Sequence, residues 1–165
     1  MFKHPEQVLR FTFKTREKVI ISMPSGVYAE RLNAPSHDQR TLTAYDFHAQ
    51  VGMIMSFLER RPLLEQAYVF LEYGTPLERK YCARYIANHP DIRLPSMLAN
   101  RIQLRQALLG SSVRKVAHDI GISNYKAWKL RKELWSLLEP IMLRLYDAMY
   151  EWMELVEYPQ QKETA

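Results

Sequence analysis

The chain has 165 residues, of which 47% are hydrophobic, so it is long enough for one domain, or for a small domain with appendages, and for a core. Its single cysteine, Cys82, excludes an intramolecular disulfide and a cysteine-based zinc site, and favours a reducing, cytoplasmic setting. The net charge is +5, and no apolar run approaches the roughly 18 residues of a membrane span, so we expect no membrane segment.

The positive charge is unevenly distributed along the chain. Residues 101–135 contain eight Lys/Arg against two Asp/Glu, which gives this stretch a net charge of +6. Residues 136–165 contain two basic and six acidic residues, and so carry −4. Residues 1–40 carry +3, and residues 41–100 are neutral. A concentrated basic stretch is typical of a protein that binds a polyanion.

Residues 1–43 differ in pattern from the rest of the chain. The segments VLRFTFK and KVIISM are short, alternating and β-prone, and turn-forming residues follow each of them. We therefore predict a basic N-terminal arm over residues 1–43 that is extended or folded as a β-hairpin. An arm that stays disordered until it meets a partner is the alternative.

From residue 44 onward the spacing of the apolar residues predicts a mainly α fold, with a multi-helix body over residues 44–158. Thr75, with Glu78 three residues later, predicts a capping box at the start of one helix. The segment HPDIRLP predicts a linker. The helix that follows is expected to be capped by Ser96 and closed by Gly110.

Residues 111–135 have the pattern of a helix-turn-helix. Val116 and Ala117 mark the inward face of a short first helix, and Gly121 suits a left-handed turn. Ser123 is a natural N-cap for the second helix. The apolar residues of the second helix, at spacings of three and four, are Ala127, Leu130 and Leu134.

The opposite face of this helix pair carries the candidate DNA-binding residues. In a helix-turn-helix, the first residues of the second helix reach base edges in the major groove, and cations elsewhere contact phosphates. On this pattern Asn124 is a candidate for pairing with adenine, and Lys126 for guanine or phosphate. For Trp128 the outer face and partial burial are both open, and partial burial is favoured. The full candidate set is Arg114, Lys115, Ser123, Asn124, Tyr125, Lys126, Lys129, Arg131 and Lys132. A common helical hairpin with a solvated basic face is the alternative.

The last helix is predicted to be long, with a wide apolar stripe, and the tail over residues 159–165 is expected to be frayed. Pro140 predicts a kink or a boundary between two helices. The stripe is expected to be core as far as Leu145. Beyond it, core packing and a surface for a partner or a second copy of the chain are both open. The residues singled out in this part are Met149, Trp152 and Met153.

No pattern typical of an enzyme is present. The five histidines lack metal-ligand spacing, and the chain has no Gly-rich phosphate loop and no nucleophile elbow. We therefore expect a protein that is not an enzyme and that uses no metal and no cofactor.

The stretch VAHDIGISNYKAWKLRKELWSLLEPIM resembles the sigma-factor region-four type of helix-turn-helix, and in particular the late-gene antitermination Q proteins of bacteriophages. The resemblance covers roughly residues 97–155. Some Q proteins hold zinc through clustered cysteines, so the resemblance implies that this chain, with the single Cys82, would belong to a zinc-free branch. The residues that carry the shared pattern are Val116, Ala117, Ile120, Gly121, Ile122 and Ser123, followed by the basic segment from Lys126 to Lys132.

The resemblance implies a transcription regulator of phage or prophage type in the cytoplasm of a bacterial host. Such a protein binds double-stranded DNA at a late promoter, loads onto RNA polymerase paused there with its sigma factor, and keeps terminator hairpins from forming. The basic arm and the C-terminal helices are then candidates for polymerase contact. Two alternatives stay open: a dimeric helix-turn-helix repressor or activator that does not travel with polymerase, and a helical adaptor that binds a host protein.

Overall fold

A computed structural model describes residues 4–21 and 44–161, with side chains described over residues 4–16 and 48–156. The described residues are mainly helical, as the sequence predicts, and contain no strand. The helices are α1 (Pro5–Ile21), α2 (Ala44–Glu59), α3 (Leu63–Tyr73), α4 (Pro76–Asn88), α5 (Arg101–Leu109), α6 (Val113–Ile120) and α7 (Asn124–Gln161). They belong to two compact units, Met1–Arg60 and Arg61–Ala165.

In the first unit, α1 packs against α2. The expectation of an extended or β-hairpin arm is wrong for Pro5–Ile21, which is helical. The reason is that Val8, Leu9 and Phe13 fall on one helical face and are all buried, and burial of such a stripe outweighs a local β-propensity. The Thr12 hydroxyl, also buried, donates to the Val8 carbonyl at 2.7 Å. Residues 22–43 of the predicted arm lie outside the described residues.

In the second unit, α3 packs against α4 and α7, and α4, α5, α6 and α7 then pack each against the next. One buried carboxylate joins the first and last of these helices. Glu65 of α3 is 3% exposed and accepts a hydrogen bond from Arg61 Nε at 2.8 Å. Its other oxygen lies 3.8 Å from Nε of Arg144 on α7. Through Glu65, the start of the second unit is linked to the side chain of Arg144 on α7.

The predicted capping box at the start of α4 is confirmed. The Thr75 N–H donates to Glu78 Oε2 at 2.9 Å, and the Glu78 N–H donates to Thr75 Oγ1 at 3.4 Å. The expected cap at Ser96 is wrong, because α5 begins later, at Arg101, with Asn100 as its N-cap. Asn100 Oδ1 accepts from the Gln103 N–H at 3.0 Å, while the preceding residues form turns.

Helix α7 runs as one element from Asn124 to Gln161, so the expectation that Pro140 separates two helices is wrong. Pro140 and Ser136, four residues earlier, are both exposed, so water can bond the Ser136 carbonyl that proline leaves without a helical donor. Burial of Ile141 and Leu145 continues the core face past this point. The tail over residues 159–165 was expected to fray, but α7 extends into it as far as Gln161. Residues 162–165 lie outside the described residues. None of the described helices is long and apolar enough to cross a membrane.

Candidate nucleic-acid interface

A tight turn joins α6 to α7. Gly121 has φ 76° and ψ 36°, the left-handed conformation for which a glycine was expected at this position. The Gly121 and Ile122 N–H groups both donate to the Ala117 carbonyl, at 2.9 and 3.0 Å. These bonds occupy a carbonyl that the end of α6 would otherwise leave without a partner, and they fix the direction in which the chain enters α7.

A serine caps each of the two helices. Ser112 Oγ accepts from the Lys115 N–H at 3.2 Å at the start of α6, and Ser123 Oγ accepts from the Lys126 N–H at 3.3 Å at the start of α7. Ser123 is therefore confirmed as an N-cap. Its hydroxyl acceptor is engaged with the backbone, so its contribution to the candidate site is to hold the first turn of α7 in place.

The inward faces of α6 and α7 are buried as predicted. Val116 is fully buried and Ala117 is 7% exposed. On α7, Ala127 and Leu130 are fully buried and Leu134 is 6% exposed. With these faces in the core, the remaining sides of both helices are left at the surface.

All nine residues predicted to bind DNA are exposed. Two of them lie on α6, Ser123 lies in the turn, and the other six lie within the first nine residues of α7. We call this set the α6–α7 face. It consists of Arg114, Lys115, Ser123, Asn124, Tyr125, Lys126, Lys129, Arg131 and Lys132. Among the residues that the structure describes, no carboxylate lies within 4.0 Å of the nitrogen atoms of its six cations.

Aromatic rings alternate with cations along the outer side of α7. The Tyr125 and Trp128 rings are stacked, with centroids 6.3 Å apart and planes inclined at 20°. Lys129 Nζ lies 4.7 Å from the Tyr125 centroid, and Lys132 Nζ lies 4.0 Å from the Trp128 centroid. Trp128, for which the outer face and partial burial were both open, is 46% exposed and lies on the outer face. Its spacing from Tyr125 and Lys132 places all three on the side of α7 opposite the core.

Trp135 is a residue of this region that sequence reasoning missed. It is 53% exposed and lines a hollow of about 490 Å³ with Val113, Trp128, Arg131, Lys132 and Ser136. The available signal was its spacing, because a residue seven positions after Trp128 falls on nearly the same side of a helix. The hollow joins the start of α6 to the outer side of α7.

The three residues proposed for a protein partner do not form one exposed surface. Met149 is fully buried, so the reading of Met149 as a surface contact is wrong. It follows Leu145 by four residues and continues the core face of α7. Trp152 and Met153 are half-buried.

No group of three or more His, Cys, Asp or Glu side chains suited to a metal ion occurs within residues 4–16 and 48–156. Cys82 is half-buried, and burial together with the nearby Glu78 carboxylate raises the pKa of its thiol. A raised pKa keeps the thiol protonated and so reduces its nucleophilicity.

The chain matches no protein-family model, no curated protein and no solved structure in the three comparisons made.

Proposed function

We propose that the protein binds double-stranded DNA through the α6–α7 face and acts as a regulator of transcription. The observation that carries the proposal is the set of six cations on this face, all exposed and none paired with a carboxylate of the described chain. Cations held in this way, on helices whose other sides form a core, are available to phosphates.

The geometry favours α7 as the helix that enters the major groove. In a helix-turn-helix the second helix presents its first residues to the base edges. Here Asn124, Tyr125 and Lys126 form that first turn, and the Ser123 cap holds it. Asn124 is suited to adenine, and Lys126 to guanine or to a phosphate. The cations further along α7 and at the start of α6 then contact the backbone on either side.

The role in transcription rests on the resemblance to the late-gene antitermination Q proteins. On this proposal the protein binds at a late promoter and joins RNA polymerase there with its sigma factor. Transcription through a terminator in vitro tests this role, because an antiterminator raises read-through. A dimeric repressor or activator leaves read-through unchanged while retaining DNA binding.

A pair of double variants tests DNA binding itself. Lys126→Ala with Lys129→Ala removes two cations from the α6–α7 face. Lys80→Ala with Arg93→Ala removes two exposed cations elsewhere in the same unit and is the matched control. We expect the first pair to weaken binding to a fluorescein-labelled duplex by about tenfold at low salt, and the control by less than about twofold. Equal losses from both pairs would refute the assignment of the face.

The same measurement separates a helical adaptor from a DNA-binding protein. An adaptor that contacts a host protein would show no salt-dependent affinity for duplex DNA in either variant. Burial of Met149 also removes one of the three residues on which an adaptor surface at the end of α7 was based.

A further inference from the structure

The outer side of α4 and the start of α5 form a second basic surface that the proposed function does not use. Tyr81, Arg84, Tyr85 and Asn88 recur at helical spacing on the side of α4 opposite its buried residues. Tyr81 is 65% exposed and Tyr85 is 39% exposed. Both rings are therefore accessible to a ligand on this side of α4.

Two adjoining hollows lie along this surface. The first, of about 390 Å³, is lined by Arg84, Asn88, Arg101, Ile102 and Arg105. The second, of about 540 Å³, is lined by Tyr81, Arg84, Tyr85, Asn88, His89 and Pro90. Because Arg84 and Asn88 line both, the hollows form one continuous surface, which we call the α4–α5 surface.

One arginine of this surface, Arg101, is held in place by hydrogen bonds to the backbone. Arg101 Nη1 donates to the Ala87 carbonyl at 3.1 Å and to the Ile92 carbonyl at 2.5 Å, which ties the first residue of α5 to the end of α4 and to the linker. Among the described residues, no carboxylate pairs with Arg84, Arg101 or Arg105. Asp91 Oδ2 lies 3.8 Å from Nδ1 of His89, which lines the second hollow. Three arginines around one hollow favour an anionic ligand. Because Arg101 is already held by two carbonyls, ordering its side chain costs less entropy on binding.

We propose that the α4–α5 surface binds a single strand of nucleic acid, with its phosphates at Arg84, Arg101 and Arg105 and its bases against Tyr81 and Tyr85. A single strand alternates an anionic group with an unstacked aromatic base, and this surface offers guanidinium groups beside exposed rings. Duplex DNA hides the faces of its bases, so it cannot use the tyrosines in this way. An acidic peptide satisfies the arginines but offers the tyrosine rings no planar partner.

The α4–α5 surface is distinct from the α6–α7 face, since no residue of that face lines either hollow. The two proposals therefore make separate predictions. Single-strand binding depends on α4 and α5, whereas duplex binding depends on Lys126 and Lys129.

The test uses the full chain and two labelled probes, an oligothymidylate and an oligouridylate, in fluorescence-anisotropy titrations over a range of salt. Arg84→Ala with Arg105→Ala should weaken single-strand binding by about tenfold and reduce the salt slope by about 1.4, the value for two phosphate contacts. Tyr81→Ala with Tyr85→Ala should weaken binding at least about fivefold and leave the salt slope unchanged, because stacking releases no counterions. Lys80→Ala with Arg93→Ala serves again as the charge-matched control and should change affinity by less than about twofold.

Several outcomes would overturn the proposal. These are no binding of either probe, equal losses from the arginine pair and its control, and displacement of the strand by polyglutamate at equal charge concentration. Loss of single-strand binding in Lys126→Ala with Lys129→Ala but not in the arginine pair would place the strand on the α6–α7 face instead. Binding of either probe with the expected variant effects supports the surface, and the ratio of the two affinities tells DNA from RNA. Thermal melts by circular dichroism confirm that each variant is folded.

Discussion

The junction between α5 and α6 leaves no space for a side chain at Gly110. An ideal Cβ placed on Gly110 would lie 2.1 Å from Cγ2 of Val116 and 3.4 Å from the Ala107 carbonyl oxygen. Carbon atoms in contact are normally about 3.5–4.0 Å apart, so the two groups would have to separate by roughly 1.5 Å. Val116 is fully buried, and as a β-branched residue in a helix it has one strongly preferred rotamer, so it cannot turn away. The strain must therefore move the backbone of α6.

We expect Gly110→Ala to lower the free energy of unfolding by about 1–3 kcal/mol, the usual cost of overpacking a core. For a chain of this length that is a fall in Tm of roughly 2–12 °C. Gly52→Ala is the matched control, because Gly52 lies inside α2 with no heavy atom within 4 Å of its ideal Cβ. Alanine at position 52 should raise the free energy of unfolding by about 0.5–1 kcal/mol. The same substitution is therefore expected to stabilise the protein at one glycine and to destabilise it at the other.

Urea unfolding followed by circular dichroism measures both variants. Adding Val116→Ala to Gly110→Ala removes the clash, so the double variant should be less destabilised than the two single variants added together. If the effects of Gly110→Ala and Val116→Ala add within about 0.5 kcal/mol, the close approach of these two residues is not the cause. A Gly110→Ala variant as stable as the wild type would refute the reasoning directly.

Two further predictions concern stability within the second unit. Glu65→Gln should lower the free energy of unfolding by about 1.5–3 kcal/mol in urea titrations. The reason is that a neutral amide replaces the buried carboxylate that accepts the Arg61 hydrogen bond and faces Arg144. An unchanged midpoint would show that the Glu65 carboxylate and its two arginines do not stabilise the fold. Gly121→Ala should cost about 1–2 kcal/mol through the left-handed backbone alone, since no atom lies within 4 Å of its ideal Cβ. Gly121→Asn should recover part of that loss, and a larger loss with asparagine than with alanine would contradict the backbone explanation.

Sequence patterns predicted the features that depend on local chemistry. The capping box at Thr75 and Glu78, the left-handed turn at Gly121 and the cap at Ser123 each follow from residues within a few positions of one another. The buried positions Leu130 and Leu134 follow from helical spacing alone.

The errors have a common physical cause, which is that burial depends on distant parts of the chain. The strand-like alternation of VLRFTFK is compatible with a helix once Val8, Leu9 and Phe13 can be buried on one side. Exposure of Trp128 and burial of Met149 likewise depend on which sides of α7 the other helices cover.

The α4–α5 surface could not be predicted from the sequence for a related reason. Arg84 and Arg105 are 21 positions apart in the sequence, yet they line the same hollow. The start of α5 is held near the end of α4 by the hydrogen bonds from Arg101 to the Ala87 and Ile92 carbonyls. A count of basic residues along the chain divides the cluster, because Arg84 falls in the neutral stretch of residues 41–100 and Arg101 and Arg105 fall in the basic stretch of residues 101–135. The count therefore does not show that the three arginines meet.

The salt dependence of duplex binding tests the central claim most directly. If the six cations of the α6–α7 face contact phosphates, the logarithm of the association constant should fall linearly with the logarithm of the salt concentration, with a slope of about −5. Lys126→Ala with Lys129→Ala should reduce the magnitude of that slope by about 1.8, while Lys80→Ala with Arg93→Ala leaves it unchanged. A slope near zero for the wild-type protein, or an equal reduction in both double variants, would contradict the account.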